Sequence, residues 1–254
     1  MDLTPRQRPL PVSTSDNPLT GRKSPLLCYV TDRRSLHGAA LTQKIEEIAV
    51  AGVDWVQIRE KDLPARELAS LARKALDIAA NVSAKRASAI RVFVNDRLDV
   101  AIAERAHGVH LGEASLPVAE LKRLIASAMR KKAIEEPFLV GVSCHSLEAA
   151  QAAQRDGADY IFFGPIFATP SKERFGPPQG VERLAQVCRG VTVPVLAIGG
   201  ITLENANSCI AAGATGIAAI RLFQDPVDPV LAMRRLRQAV SFPRQLPADR
   251  KPGR

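Results

Sequence analysis

Short runs of apolar residues alternate with longer amphipathic segments from Pro25 to about residue 241. The short runs are nearly continuously apolar, which is typical of parallel strands that are buried on both faces. They predict eight strands: Leu26–Thr31, Trp55–Arg59, Arg91–Asn95, Gly108–Leu111, Phe138–Ser143, Tyr160–Phe163, Val193–Ile198 and Gly216–Ile220. Helical spacing between them predicts helices that include Ala65–Ala80, Pro117–Met129, Leu147–Arg155 and Leu203–Ala212.

The strand–helix alternation predicts one α/β domain, a (β/α)8 TIM barrel over residues 26–241. Three predicted helices end in a small-residue stop at Gly52, Gly157 and Gly213, where glycine suits a left-handed C-cap. The alternative fold is an open doubly wound sheet, which typically carries a glycine-rich phosphate-binding loop after its first strand. No such loop follows the first strand here, and this favours the barrel.

The composition is that of an ordinary globular protein, with 46% hydrophobic and 24% charged residues among 254. The sequence contains no apolar stretch long enough for a membrane helix and no apolar core of a secretory signal at its start. We therefore expect neither a membrane partner nor secretion.

The formal net charge is +9, and about half of it lies in the two ends. Residues 1–25 and residues 242–254 are rich in Pro and polar residues without apolar periodicity, so both are predicted to be disordered tails. Aromatic residues make up only 4% of the chain, whereas a nucleic-acid surface usually interleaves basic and aromatic residues. A nucleic-acid partner is therefore not expected.

The four cysteines are far apart and form neither a CxxC pair nor a zinc-ligand spacing. Scattered thiols in a chain of this size indicate a reducing compartment, so the predicted location is the cytoplasm.

Polar residues follow the second predicted strand, where barrels of this class carry their chemistry. Strand alternation places Gln57, Arg59 and Lys61 on one side, which is the inside of the barrel mouth if Gln57 points inward. Polar side chains in that position need a ligand or water to satisfy them. The alternative is an exposed strand end with a solvated salt bridge.

Asn95 and Asp96 end the third predicted strand just before a helix. Taken alone, Asp96 is best interpreted as a helix N-cap. The pair also offers oxygen ligands for a hard cation such as Mg²⁺, an interpretation that gains support from the cations on the neighbouring strand.

The sixth predicted strand leads into the longest connection of the predicted barrel, from Gly164 to Gly180, which we call loop six. Long connections of this kind are usually lids or binding loops. Thr169, Ser171 and Lys172 offer two hydroxyls and an ammonium group, which suit the oxygen atoms of a diphosphate. The alternative is a rigid Pro-rich surface loop without a ligand.

Gly199 and Gly200 follow the seventh predicted strand and permit close backbone approach to a phosphate, which many barrels bind there. His110 and His145 end the fourth and fifth strands and are interpreted as structural residues. A Ser143–His145 nucleophile pair is an alternative, although two residues apart on a strand is not the spacing of a catalytic triad.

Six motifs, in order and in spacing, resemble the thiamine-phosphate synthase / TenI family. They cover roughly residues 26–224 and comprise Gln57–Lys61, Val94–Arg97, Gly108–Gly112, Gly141–His145, Gly164–Lys172 and Ala197–Ile201. The synthases of this family join hydroxymethylpyrimidine diphosphate to hydroxyethylthiazole phosphate and release diphosphate. The resemblance implies a transferase with a dissociative mechanism, in which diphosphate departs before the thiazole nitrogen attacks the pyrimidine methyl cation.

The resemblance also implies roles for individual residues. Arg59, Lys61 and Lys172 would bind the diphosphate, with Asn95 and Asp96 binding it or its Mg²⁺. Gln57 and Ser143 would face the pyrimidine. The thiazole phosphate and loop six would be held by a further group of residues: Thr169, Ser171, Gly199, Gly200, Ile220 and Arg221. The expected partners are small-molecule substrates, and the sequence leaves the oligomeric state open.

Two departures from the family pattern affect these expectations. Ser115 stands where the synthases usually carry a second Mg²⁺-binding Asp, with Glu113 as an alternative oxygen ligand, and Arg221 stands where a small Ser is common. They leave two other hypotheses open: a metal-free, TenI-like thiazole tautomerase, and a non-catalytic barrel that binds a thiamine precursor. The Asn95–Asp96 pair favours the synthase, as does Pro165 at the position of a tautomerase's catalytic His.

Overall fold

The predicted strands pair in chain order and close into a barrel, which confirms the predicted fold. The computed structural model describes residues 24–36, 38, 40–86, 88–112, 115–130, 137–169 and 177–240. All neighbouring strands are parallel, and the last one pairs with the first. The strands are β1 (Leu26–Val30), β2 (Trp55–Ile58), β3 (Arg91–Asn95), β4 (Gly108–Leu111), β5 (Leu139–Cys144), β6 (Tyr160–Phe163), β7 (Val195–Ile198) and β8 (Gly216–Ala219).

Helices follow the strands and surround the barrel. A short 3-10 helix at Arg33–Ser35 comes directly after β1. The α-helices are α1 (Leu41–Ala51), α2 (Ala65–Ser83), α3 (Leu98–Ala103), α4 (Val118–Arg130), α5 (Leu147–Arg155), α6 (Gly180–Gly190), α7 (Ala206–Ala211), α8 (Arg221–Gln224) and α9 (Pro229–Ala239). The predicted glycine stops are confirmed, because Gly52, Gly157 and Gly213 all have positive φ angles.

Two elements begin two or three residues later than the sequence pattern predicts, while β1, β2 and β8 each end one residue earlier. β7 begins after Pro194 rather than at Val193, because proline has no N–H to donate to the barrel's hydrogen-bond ladder. α7 begins at Ala206 rather than at Leu203, because the side chain of Asn205 holds the preceding turn. Its amide accepts from the Thr202 N–H at 2.8 Å and donates to the Gly200 carbonyl at 3.0 Å.

The inside of the barrel is filled with aromatic side chains. The Trp55 ring lies 4.7 Å from the Phe93 ring and 4.9 Å from the Tyr160 ring, measured between centroids. Gly141 makes this packing feasible, since a Cβ at that position would lie 2.0 Å from Cζ of Tyr160. This aromatic layer packs the interior below the carboxyl ends of the strands, where barrels of this class bind their ligands.

A second apolar cluster fills the space between the outside of the barrel and the helices. Within the described part of the chain, no helix is both long enough and apolar enough to cross a membrane. The predicted tails, 1–25 and 242–254, fall almost entirely outside the described residues, so their disorder stays a prediction.

Candidate active site

Four polar side chains point into the barrel mouth from neighbouring strands. Side chains alternate between the two faces of a strand, so residues two positions apart share a face. On this basis the inner face holds Gln57, Asn95, His110 and Ser143. Gln57 is 2% exposed, and its Nε2 donates to Oδ1 of Asn95 at 3.1 Å. Gln57 therefore lies on the inner face, which is the condition on which the predicted placement of Arg59 and Lys61 depends.

The end of β2 is held by the end of β1. Oγ1 of Thr31 accepts from the Arg59 N–H at 2.9 Å and donates to the Glu60 carboxylate at 2.7 Å. Glu60 also accepts from the Arg33 backbone N–H. Burial raises the pKa of the Glu60 carboxyl above the ordinary value, although these hydrogen bonds act to lower it. Glu60 thus anchors the loop while Arg59 and Lys61, on the opposite side, remain available to a ligand.

Asp96 faces the end of β4 rather than the helix that follows it. Its Oδ1 accepts from the Gly112 N–H at 3.0 Å and from the Ser115 hydroxyl, and its Oδ2 accepts from Asn95 Nδ2 at 2.6 Å. Nζ of Lys61 lies 3.9 Å from the same Oδ2. The N-cap interpretation is wrong, because α3 is preceded by Arg97 and has no side-chain cap. The positive φ angle of Asp96, 60°, turns the carboxylate toward β4.

These contacts keep Asp96 ionised. Burial alone would raise the pKa of its carboxyl, but the hydrogen bonds from Ser115 and Gly112 and the charge of Lys61 lower it below the ordinary value. Among the described residues, no three His, Cys, Asp or Glu side chains cluster to hold a metal. One carboxylate beside a hydroxyl oxygen nevertheless suits Mg²⁺, which is often bound by one or two carboxylates together with substrate phosphates.

Ser143 pairs with His110, not with His145. Nε2 of His110 lies 2.9 Å from the Ser143 hydroxyl, and Nδ1 lies 3.3 Å from the Tyr160 hydroxyl. The Ser143–His145 alternative loses support, because the Ser143 hydroxyl lies beside His110 and Nδ1 of His145 contacts the Gly164 carbonyl oxygen. Burial lowers the pKa of His110 to about 3, so its imidazole is neutral and a weak base at neutral pH.

The Gly199–Gly200 turn packs against the start of loop six. Both glycines have positive φ angles, and a Cβ on Gly200 would lie 2.5 Å from the Ala168 carbonyl oxygen. The Phe167 N–H donates to the Gly199 carbonyl at 3.0 Å. The paired glycines therefore let β7 and the beginning of loop six approach closely.

The remaining predicted site residues divide into two groups. Thr169 is the last described residue in the first part of loop six. Ile220 is the N-cap of α8 and the exposed Arg221 is its first residue, directly after β8. All three therefore lie at the mouth end of the barrel. Glu113, Ser171 and Lys172 lie outside the described residues. Their roles, including convergence of Lys172 with Arg59 and Lys61, stay predictions.

Comparison with known proteins agrees with the motifs. The family model described as thiamine monophosphate synthase matches residues 27–223. The chain belongs to the thiamine monophosphate synthase family. It is 37% identical to a thiamine-phosphate synthase of Roseiflexus sp. (strain RS-1), covering 95% of this chain and 96% of that one.

Further relatives extend the agreement to the fold. The chain is 40% identical to a thiamine-phosphate synthase of Methanoculleus marisnigri, covering 85% of this chain and 95% of the relative. The solved structure of thiamine phosphate pyrophosphorylase from Pyrococcus furiosus has a TM-score of 0.72 at 29% identity, covering 85% and 96% of the two chains. The predicted family and the predicted enzyme class, a transferase, are confirmed.

Sequence reasoning missed two residues that support the site, Thr31 and Tyr160, whereas its interpretation of His110 as a structural residue agrees with the contacts of that ring. Thr31 links the ends of β1 and β2, and Tyr160 and His110 together support Ser143. Strand alternation could have placed His110 and Ser143 on the same face. Their hydrogen bond depends on the stagger between β4 and β5, which a single sequence does not specify.

Proposed function

We propose that the barrel mouth binds hydroxymethylpyrimidine diphosphate and hydroxyethylthiazole phosphate and joins them into thiamine phosphate, releasing diphosphate. The observation that carries this proposal is the arrangement at the ends of β2 and β3. There Lys61 lies 3.9 Å from Asp96, beside the polar pair of Gln57 and Asn95. Cations next to hydrogen-bonding groups suit a substrate with an anionic leaving group and a polar ring.

The proposed reaction breaks one bond and forms one bond without a proton transfer. The carbon–oxygen bond to diphosphate breaks, and its electron pair leaves with the diphosphate. The lone pair of the thiazole nitrogen then forms a bond to the pyrimidine methyl cation. Such a reaction needs no general base, which agrees with a His110 that burial keeps neutral and weakly basic.

The residues of the mouth divide the work between the two substrates. Arg59 and Lys61, with Lys172 from loop six, would stabilise the charge on the leaving diphosphate. Gln57 and Ser143 would orient the pyrimidine. The turns after β7 and β8 would place the thiazole phosphate in line with the reacting carbon, which lowers the entropic part of the barrier.

Mg²⁺ fits this proposal at one position. Asp96 would hold it together with the substrate's diphosphate, with Ser115 beside it and with Glu113 as a further candidate ligand. When bound there, the cation would neutralise charge on the diphosphate.

We also propose a cytoplasmic location. The four cysteines of the chain, Cys28, Cys144, Cys188 and Cys209, all lie among the described residues and form no disulfide, and three of them are buried. Free thiols persist in a reducing compartment, so this distribution supports the proposal.

The decisive experiment incubates the purified full-length protein with both substrates and Mg²⁺ and measures released diphosphate and thiamine phosphate. We expect both products in equal amounts, and neither with one substrate alone. Metal-free tautomerisation of the thiazole phosphate without diphosphate release would instead support the TenI-like hypothesis. Inactivity in both assays would support a binding protein.

A further inference from the structure

The hydrogen-bond partners of Tyr160 fix the proton positions on His110. The Tyr160 hydroxyl is fully buried, and among the described residues its hydrogen-bond partner is Nδ1 of His110, 3.3 Å away. A buried hydroxyl that donates to nothing is costly, so Nδ1 must be the acceptor and must carry no proton. The neutral ring then carries its proton on Nε2.

The same reasoning extends from His110 to Ser143. Nε2 lies 2.9 Å from the Ser143 hydroxyl oxygen, so the Nε2–H donates and the oxygen accepts. The hydroxyl hydrogen of Ser143 is then left to point elsewhere. Ser143 is half-buried near the carboxyl end of β5, which faces the mouth, so this hydrogen can be donated to a ligand there.

A second chain of hydrogen bonds fixes the polarity of Gln57. Nδ2 of Asn95 lies 2.6 Å from Oδ2 of Asp96 and donates to it, since an amide nitrogen can only donate. Oδ1 of Asn95 therefore faces Gln57 and accepts from its Nε2 at 3.1 Å. This orientation leaves the Gln57 carbonyl oxygen as the atom that can accept from a ligand.

We propose that Tyr160 and His110 are positioning residues that present Ser143 as a hydrogen-bond donor opposite the acceptor of Gln57. A donor and an acceptor on opposite sides of one mouth match an aminopyrimidine, in which a ring nitrogen accepts on one side and the exocyclic amino group donates on the other. The corresponding oxopyrimidine carries a carbonyl in place of the amino group, so two acceptors would face each other there. The mouth therefore selects the amino form, a specificity that rests on the proposed function.

The first test measures proton positions directly, without catalysis. Long-range proton–nitrogen NMR of the full-length protein with ¹⁵N-labelled histidine distinguishes protonated from unprotonated ring nitrogens. The chain has four histidines, so the His110→Gln variant identifies the His110 signals. We expect Nε2 protonated and Nδ1 unprotonated at neutral pH, and a proton on Nδ1 would overturn the inference.

The second test uses the Tyr160→Phe variant, which keeps the ring packed against Trp55 and Phe93 but removes the donor. We expect the Nδ1-protonated form of His110 to appear in its NMR spectrum. Tyr29→Phe is the matched control, because it removes a buried hydroxyl bonded to Gln224 on the outer side of the barrel. An unchanged His110 spectrum in Tyr160→Phe would overturn the inference.

The third test measures binding of the aminopyrimidine diphosphate and its oxo counterpart by calorimetry. We expect the wild type to favour the amino compound by about tenfold or more, and Tyr160→Phe to reduce that ratio by roughly 3- to 10-fold. The Tyr29→Phe ratio should match the wild type. Binding without discrimination overturns this inference alone, whereas failure to bind either compound overturns the proposed function as well.

Discussion

At the scale of single residues, the two cations that follow β2, Arg59 and Lys61, differ in the groups that they face. Nζ of Lys61 lies 3.9 Å from Oδ2 of Asp96. Burial lowers the pKa of His110, and the positive charge of Arg59 lowers it further. A ligand that brings a diphosphate would compensate both charges at once. The proposed function therefore makes these residues more important to the reaction than to the fold.

Arg59→Ala and Lys172→Ala should each impair catalysis severely. Loss of one charge-assisted contact to the leaving group is expected to raise the barrier by about 2–4 kcal/mol. Steady-state kinetics with both substrates would show this mainly in kcat, since the charge on the diphosphate is largest as it departs. Arg234→Ala, on the exposed surface of α9, is the matched control and should behave like the wild type. Near-native rates in both mouth variants would show that the leaving group lies elsewhere.

Ser115→Asp tests whether Asp96 belongs to a metal site. The added carboxylate would replace a hydroxyl that now donates to Asp96, so two like charges would share one position unless a cation separates them. We expect Mg²⁺ affinity to increase by about tenfold or more in the presence of diphosphate, measured by calorimetry. Ser115→Asn, which adds no charge, should not increase it. Equal affinity in all three proteins would place the cation away from Asp96.

At the scale of elements, loop six depends on the turn after β7. Gly200 has a φ angle of 65°, and a Cβ there would lie 2.5 Å from the Ala168 carbonyl oxygen and 2.7 Å from that of Phe167. A side chain at this position would both strain the turn and displace the described start of loop six.

Gly200→Ala should therefore reduce stability and activity together. The left-handed backbone alone is expected to lower the free energy of unfolding by about 1–2 kcal/mol, and the displaced loop should add to the loss of activity. Gly38→Ala is the control, because Gly38 also has a positive φ angle, 81°, but a Cβ added there would meet nothing within 4 Å. It should lose stability and keep its kinetics. Equal kinetic effects in the two variants, measured after urea unfolding establishes their stabilities, would contradict a role for Gly200 in placing loop six.

The elements themselves were largely predictable, because buried parallel strands leave a pattern that depends on local sequence. β3, β4 and β6 match their predicted bounds, since apolar runs end there at polar or glycine residues. The hydrogen-bond partners of individual side chains were not predictable from the same pattern. Asp96 was expected to cap α3, but a φ angle of 60° turns it toward Gly112, sixteen residues later. Such a contact depends on strand stagger and backbone handedness, which hydrophobic periodicity does not contain.

At the scale of the whole molecule, closure of the barrel surrounds His110 with aromatic rings. Its ring centroid lies 4.2 Å from that of Phe162 and 5.5 Å from that of Tyr160. Burial lowers the pKa of His110 from 6.5 to about 3, and burial also lowers the pKa of His107. In both cases the folded barrel disfavours the protonated ring that the unfolded chain accepts.

The His110 and His107 contributions to stability should therefore be lost as the pH falls below about 6.5, whereas Glu60, whose pKa is raised by burial, opposes this loss at the lower end of the range. Between that pH and about 3 the unfolded chain binds a proton at His110 that the folded chain does not, so the free energy of unfolding decreases with decreasing pH. One such proton gives a slope of about 1.4 kcal/mol per pH unit, and His107 adds a smaller contribution of the same sign. Urea unfolding of the wild type and of His110→Gln, between about pH 7.5 and about pH 4.5, measures the slope and the share due to His110. His107→Gln should remove only the smaller share, and a His110→Gln slope equal to the wild-type slope would show that His110 is protonated inside the folded barrel.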